Sequence, residues 1–135
     1  MKLLIPIDSM DFSQQAYDFL SKQLIHTCTH LYFVHVIPNA NNLESIYPDV
    51  KEKLLEQGKL LIEQSINLFQ ETGVLTEGKV LTGKPSIEIV NIANEEDVDV
   101  IVIGNRSNTT EGDYTFGSVS YGVVHLSTHP VLVIK

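Results

Sequence analysis

The residues best placed to do chemistry in this chain are glycines and hydroxyls rather than paired acids or bases. Gly104 closes the apolar run Val98 to Ile103, and Gly117-Ser118-Val119-Ser120 opens a helical pattern further on. A glycine lets a phosphate approach the main chain, and free N–H groups at a helix start favour an anion. The hydroxyls of Ser118 and Ser120 would add donors. The same residues could equally be a loop end and an ordinary helix cap. Asp8 follows the apolar run Leu3 to Ile7. Its carboxylate, at a strand end, can accept hydrogen bonds or serve as a turn residue ahead of Ser13.

Other groupings look sharper than they are. Gly78-Lys79-Val80-Leu81-Thr82-Gly83-Lys84 matches most of a phosphate-loop pattern, but Pro85 stands where a hydroxyl residue should follow Lys84. Its middle carries the apolar pair of a strand instead of a flexible cradle. His26 and His30, and likewise His125 and His129, are four apart but straddle element ends, and no Cys pair accompanies them; they read as surface or packing residues. Glu95, Glu96, Asp97 and Asp99 read as a solvated turn. Cys28 is the only cysteine; it excludes an intramolecular disulfide, suits a reducing compartment, and reads as a small apolar filler. No Ser-His-Asp or Cys-His constellation can be assembled.

The elements that must position these residues follow from periodicity. Leu3 to Ile7, Leu31 to Ile37, Val98 to Ile103 and Val131 to Ile134 read as strands, with Val80-Leu81 a weaker one. Near-continuous Val, Ile and Leu runs are expected where helices cover both sheet faces. Between them, Ser13 to Ile25 places Ala16, Tyr17, Leu20 and Leu24 at helical spacing, with Asp11 or Ser13 as N-cap. Val50 to Thr72 carries a stripe of Val50, Leu54, Leu61, Ile62, Ile66 and Phe69, stopped by Gly73. Pro85 and Ser86 open a third helix with Ile87, Val90 and Ala93 inward, and Ser118 to Ser127 form a fourth before Pro130. The β-α alternation predicts an α/β domain spanning residues 1–135, an open five-stranded parallel sheet with helices on both faces. Pro38 to Tyr47 and Gly104 to Phe116 read as loops. Ligands of such sheets bind beyond the carboxyl ends of the strands, where the strand order switches.

At 135 residues, with 43% hydrophobic and 19% charged residues, the chain has the profile of one globular domain. The formal net charge of −8 argues against a non-specific nucleic-acid binder, which needs a positive surface. The apolar amino-terminal run is stopped by Asp8, and no run reaches the length of a membrane span. A cytoplasmic protein with no membrane or nucleic-acid partner is expected.

Val98-Asp99-Val100-Ile101-Val102-Ile103-Gly104-Asn105-Arg106-Ser107, followed after nine residues by Gly117-Ser118-Val119-Ser120, resembles the signature of the universal stress protein family. Asp8 at the end of the first strand, His35-Val36-Ile37, Gly83-Lys84-Pro85 and the closing Pro130 to Ile134 extend the resemblance over the chain. Ser107 stands where the nucleotide-binding members have their second glycine, Met10 replaces a polar residue, and the loop sequence carries Glu111 and Asp113 with only Arg106 to offset their charge. The resemblance implies strand order 3-2-1-4-5 and a homodimer across the carboxyl-terminal strand. It implies an adenine-nucleotide pocket, for ATP with Mg²⁺, in which Pro6, Ile7 and Asp8 border adenine and ribose and Val36 packs near the base. Gly104, Arg106, Ser107, Gly117, Ser118, Val119 and Ser120 would surround ribose and phosphates. The implied role is regulatory and stress-related, with slow hydrolysis at most. The alternative is a member that binds no nucleotide and acts as an interaction module, and an adenylating or hydrolytic enzyme ranks third.

Overall fold

The computed structural model describes residues 1–39, 48–105 and 117–135. Among these, strands and helices alternate: β1 (Lys2–Pro6), α1 (Met10–Gln23), β2 (His30–Pro38), α2 (Pro48–Phe69), β3 (Leu75–Gly83), α3 (Pro85–Glu95), β4 (Val100–Gly104), α4 (Ser118–Leu126) and β5 (Val131–Ile134). Short 3-10 turns, Ile25–Thr27 and Gln70–Thr72, follow α1 and α2. The strands pair in parallel in the order β3-β2-β1-β4-β5. This is an open α/β sheet with helices on both faces.

The continuous apolar runs are explained by the two cores. Side chains alternate across a strand, so Leu3, Ile5 and Ile7 join Phe12, Ala16 and Leu20 of α1 and Ile62 and Phe69 of α2 on one face. Leu4, Ile101 and Ile103 point to the other face and meet Ile89, Ile92 and Ala93 of α3 and Val123 of α4. A strand that serves both cores has no polar face to show. Among the described residues, no helix is long and apolar enough to cross a membrane.

Several local expectations shift once tertiary contacts act. Helix α1 starts at Met10, and its N-cap is Ser9, not Asp11 or Ser13: Ser9 Oγ accepts from the Phe12 N–H at 3.2 Å. Ser13 is instead fully buried, its Oγ 2.7 Å from Ser65 Oγ of α2. The buried stripe of α2 runs Gly58, Ile62, Ser65, Phe69, while Val50 and Leu54 are exposed. Its inward phase is set by small residues that let it approach the sheet, a signal that a purely apolar count overlooks. Helix α3 likewise turns Ser86, Ile89, Ile92 and Ala93 inward and leaves Ile87 exposed. Strand β3 spans nine residues in full register with β2, where sequence pattern marks only Val80-Leu81. It is a sheet edge with most residues exposed or half-buried, so its composition is polar. The segment Gly78 to Gly83 lies within this strand, which leaves it no phosphate loop to form.

Candidate functional site

The strand order reverses between β1 and β4, which pair only at Leu3 with Val100 and Leu4 with Ile101. From β1 the chain departs into α1 on one face of the sheet, and α4, reached from β4, packs on the other. Two connections leaving in opposite directions open a crevice at the carboxyl ends of the strands. A cavity of about 470 Å³ lies there, within the range of small-molecule sites.

Pro6, Ile7 and Asp8 at the end of β1, Val36 on β2, Gly104 at the end of β4 and Gly117, Ser118, Val119 and Ser120 at the start of α4 all line this cavity. The sequence positions joined by topology are thus brought together around Asp8. Arg106 and Ser107 lie outside the described residues, as do Glu111 and Asp113. Ser9, Asp11 and Phe12, in the stretch from Asp8 to Ser13 that the switch-point rule offers after the first strand, line the cavity as well, together with His35, Pro85 and Ile89; sequence reasoning missed the last three as site residues. Pro85 and Ile89 come from α3, whose place beside the crevice depends on which face it covers. Periodicity alone does not give that.

Three local arrangements define the chemistry. First, α4 begins at Gly117, whose extended backbone (φ −62°, ψ 158°) provides no side-chain cap. Helix starts carry orphan N–H donors and a partial positive charge, and here they border the cavity. Second, Ser120 Oγ donates to the Gly104 carbonyl at 2.9 Å. Its proton ties the exit of β4 to α4 and is spent in that bond, which leaves Ser118 as the free hydroxyl donor of the pair anticipated for an anion. Third, His35 Nδ1 lies 2.8 Å from the Ile7 carbonyl oxygen. Gly104 passes so near α1 that a Cβ there would come within 3.1 Å of the Phe12 ring.

Charge at the cavity is mixed. Among the described lining residues, Asp8 and Asp11 are carboxylates and His35 is the ionisable ring. Both aspartates are solvent-exposed, so water screens them from a ligand anion. The apolar wall comes from Val34, Val36, Ile89 and Ile103. The apolar part of the lining is therefore suited to a flat, weakly polar ring, and the start of α4 offers backbone donors to an anion.

The family model and several of the known relatives match the chain over nearly its whole length. The model of the universal stress protein family matches residues 1–135. The chain belongs to this family. Universal stress protein YxiE of Bacillus subtilis is 29% identical over 145 residues, which cover 99% of this chain and 98% of that protein. The solved structure of MJ0577 from Methanocaldococcus jannaschii superposes with a TM-score of 0.83 at 29% identity, over 99% of this chain and 94% of that one. The universal stress protein of Archaeoglobus fulgidus, solved in complex with dAMP, superposes with a TM-score of 0.74 at 25% identity, over 100% and 98% of the two chains.

Outside the crevice of this universal stress protein, several chemistry-bearing residues have structural surroundings. Cys28 is half-buried and its thiol donates to the Leu24 carbonyl at 3.3 Å. Burial pushes the thiol up from its ordinary value, against smaller downward effects of the Thr27 hydroxyl and the amino terminus; a thiol held protonated is a poor nucleophile. Asp99 accepts from the Lys2 N–H at 2.7 Å and Asp99 N–H donates to the Lys2 carbonyl at 2.8 Å, locking the opposite end of the sheet. The His125 ring stacks on Tyr121 with centroids 6.0 Å apart. Among the described residues, no group of three or more His, Cys, Asp or Glu is arranged to hold a metal.

Proposed function

We propose that the crevice between β1 and β4 binds an adenine nucleotide as a regulatory ligand. The observation that carries this reading is that the uncapped start of α4 lines the same cavity as Asp8 and the apolar Val36. The base would lie against Val36, Asp8 would accept from base or ribose donors, and the phosphates would meet the N–H groups at Gly117 to Ser120 with the Ser118 hydroxyl. The dAMP complex of the Archaeoglobus fulgidus relative supports the choice of an adenine ring. ATP is the fuller form of the proposal. Mg²⁺ would then enter mainly on the phosphate oxygens, as it usually does with nucleotides, with Asp8 or Asp11 as the available protein carboxylates. The nucleotide is read as a bound ligand, and any hydrolysis as slow.

The test is direct. Protein purified without added nucleotide is heat-denatured and the supernatant chromatographed, and calorimetric titrations follow with dAMP, AMP and ATP, the last with and without Mg²⁺. Co-purified adenine nucleotide or saturable binding supports the reading. An empty pocket and no binding at millimolar ligand would sink it.

A second reading rests on a different surface. Strand β5 is a sheet edge, and beside it α4 exposes Tyr121, Val124 and Leu126. Exposed apolar groups beside unpaired strand edges invite another chain. The proposed assembly is a homodimer through β5, and sedimentation velocity of the wild type and of Val133→Lys measures it. If the pocket proves empty while the dimer persists, the chain acts as an interaction module of this family.

A further inference from the structure

The bond from the Ile7 N–H to the Val34 carbonyl, at 2.8 Å, extends the β1–β2 ladder one residue past the end of β1. Beyond it β2 continues alone to Pro38, paired on its other side with β3. The Ile7 carbonyl at this parting point faces the His35 ring, whose Nδ1 lies 2.8 Å away. A carbonyl can only accept, so Nδ1 is the donor in this bond.

The opposite edge of the ring is also held. Gly58 sits in the buried stripe of α2, and a Cβ built on it would fall 2.9 Å from His35 Cδ2 and 3.1 Å from a Val80 methyl. Glycine is unfavourable in the middle of a helix, and here its lack of a side chain admits the imidazole between helix and sheet. The ring is therefore wedged between the Ile7 carbonyl and the Gly58 backbone. It is half-buried, and it borders the cavity.

The carbonyl that His35 holds belongs to the peptide linking Ile7 to Asp8. Fixing that carbonyl fixes the plane of the peptide, and with it the direction in which Asp8 leaves the strand. Asp8 itself is exposed and opens the turn to α1. We propose that His35 is a positioning residue that sets the Ile7–Asp8 peptide for ligand recognition, with Gly58 as the gap that lets it do so. The proposal rests on the nucleotide reading for its ligand, but its geometric half is independent of any ligand.

A double-mutant cycle between His35 and Asp8, with dAMP as the probe, tests it. His35→Phe keeps the ring volume and removes the donor, and should weaken dAMP binding about tenfold, the effect of leaving one buried acceptor unmatched. His35→Asn places an amide donor at the same branch point and should recover most of that loss. In an Asp8→Ala background, His35→Phe should add less than about a threefold further loss, because the two residues act as one unit. Gly58→Ala should mimic His35→Phe in direction. Full additivity of the Asp8 and His35 effects, or no rescue by asparagine in a folded variant, would overturn the assignment.

A ligand-free measurement separates this idea from the nucleotide reading. The Asp8 amide resonance and its hydrogen exchange should change in His35→Phe and return toward wild type in His35→Asn. If the wild type binds no dAMP but this pattern holds, the nucleotide reading fails and the positioning role stands. If the Asp8 amide is indifferent to both variants, His35 does not position it, whatever the pocket binds.

Discussion

Three helices begin at the cavity, and two of them, α1 and α4, begin in opposite ways. Helix α1 caps its own amino terminus: Ser9 Oγ accepts from Phe12 N–H, and Asp11 adds a negative charge to the first turn. Helix α4 begins at Gly117 with no side-chain cap and no acid in its first turn. Its one hydroxyl that is engaged, Ser120, reaches back to the Gly104 carbonyl and does nothing for the orphan N–H groups. Both helix starts carry the same backbone dipole, yet α1 has a side-chain cap and an acid in its first turn, whereas α4 has neither. Fold topology makes both ends available; side chains decide which one is used. The difference orients the proposed ligand, with phosphate toward α4 and nucleoside toward β1 and β2.

The comparison breaks most visibly if α4 is given the cap it lacks. In Gly117→Asp the backbone angles suit any residue, and the new carboxylate would occupy the anion's place. Nucleotide affinity should fall at least about tenfold, because like charges within a few ångströms repel strongly at a partly dry site. Stability should rise slightly, by about a few tenths of a kcal/mol, since Asp caps marginally better than Gly. Calorimetric titration and a thermal melt read the two effects in opposite directions. Unchanged affinity would place the phosphates elsewhere.

The converse change strips α1 of the cap it has. Ser9→Ala should cost about 1 kcal/mol and lower the melting temperature by about 4 °C, with a smaller effect on affinity than Gly117→Asp. A stability loss below a few tenths of a kcal/mol would mean that α1 does not depend on its own serine, and the contrast between the two helix starts would disappear.

The two helix starts also show how much the sequence disclosed. The strand runs, the parallel alternation and the grouping of Asp8, Gly104 and Gly117 to Ser120 could all be read from apolar periodicity and from the rule that such sheets bind at the switch point. Strand order came from resemblance to the family. What was not legible depended on partners distant in sequence. Ser9 is the cap and Ser13 is not, because Ser13 is drawn into a buried pair with Ser65 of α2. The inward face of α2 follows Gly58 and Ser65, small residues that matter only once the sheet lies beneath them. His35 stood in plain view within His35-Val36-Ile37, but its bond to Ile7 requires knowing where β1 stops. Strand β3 was underestimated for the same kind of reason: an edge strand takes its register from β2 and has little need for apolar residues of its own.

The smallest expected effect concerns how the two helix starts use their serines. In sequence, Ser118 and Ser120 look like equivalent donors to an anion, whereas Ser120 Oγ bonds to the Gly104 carbonyl and is half-buried. Its single proton cannot serve both acceptors, so in Ser120→Ala the loss should appear in the link between β4 and α4. That link is near the cavity, where water can reach the freed carbonyl, and the cost should be about 0.5 kcal/mol, the low end for a neutral hydrogen bond. Affinity should drop less than about threefold, and Ser118→Ala should lose more, since a donor to a charged acceptor contributes more than a neutral one. Measuring both variants by titration and by melting separates the two roles. If Ser120→Ala removes binding while leaving the melt untouched, the hydroxyl turns to the ligand on binding, and α4 presents two side-chain donors to its anion instead of one.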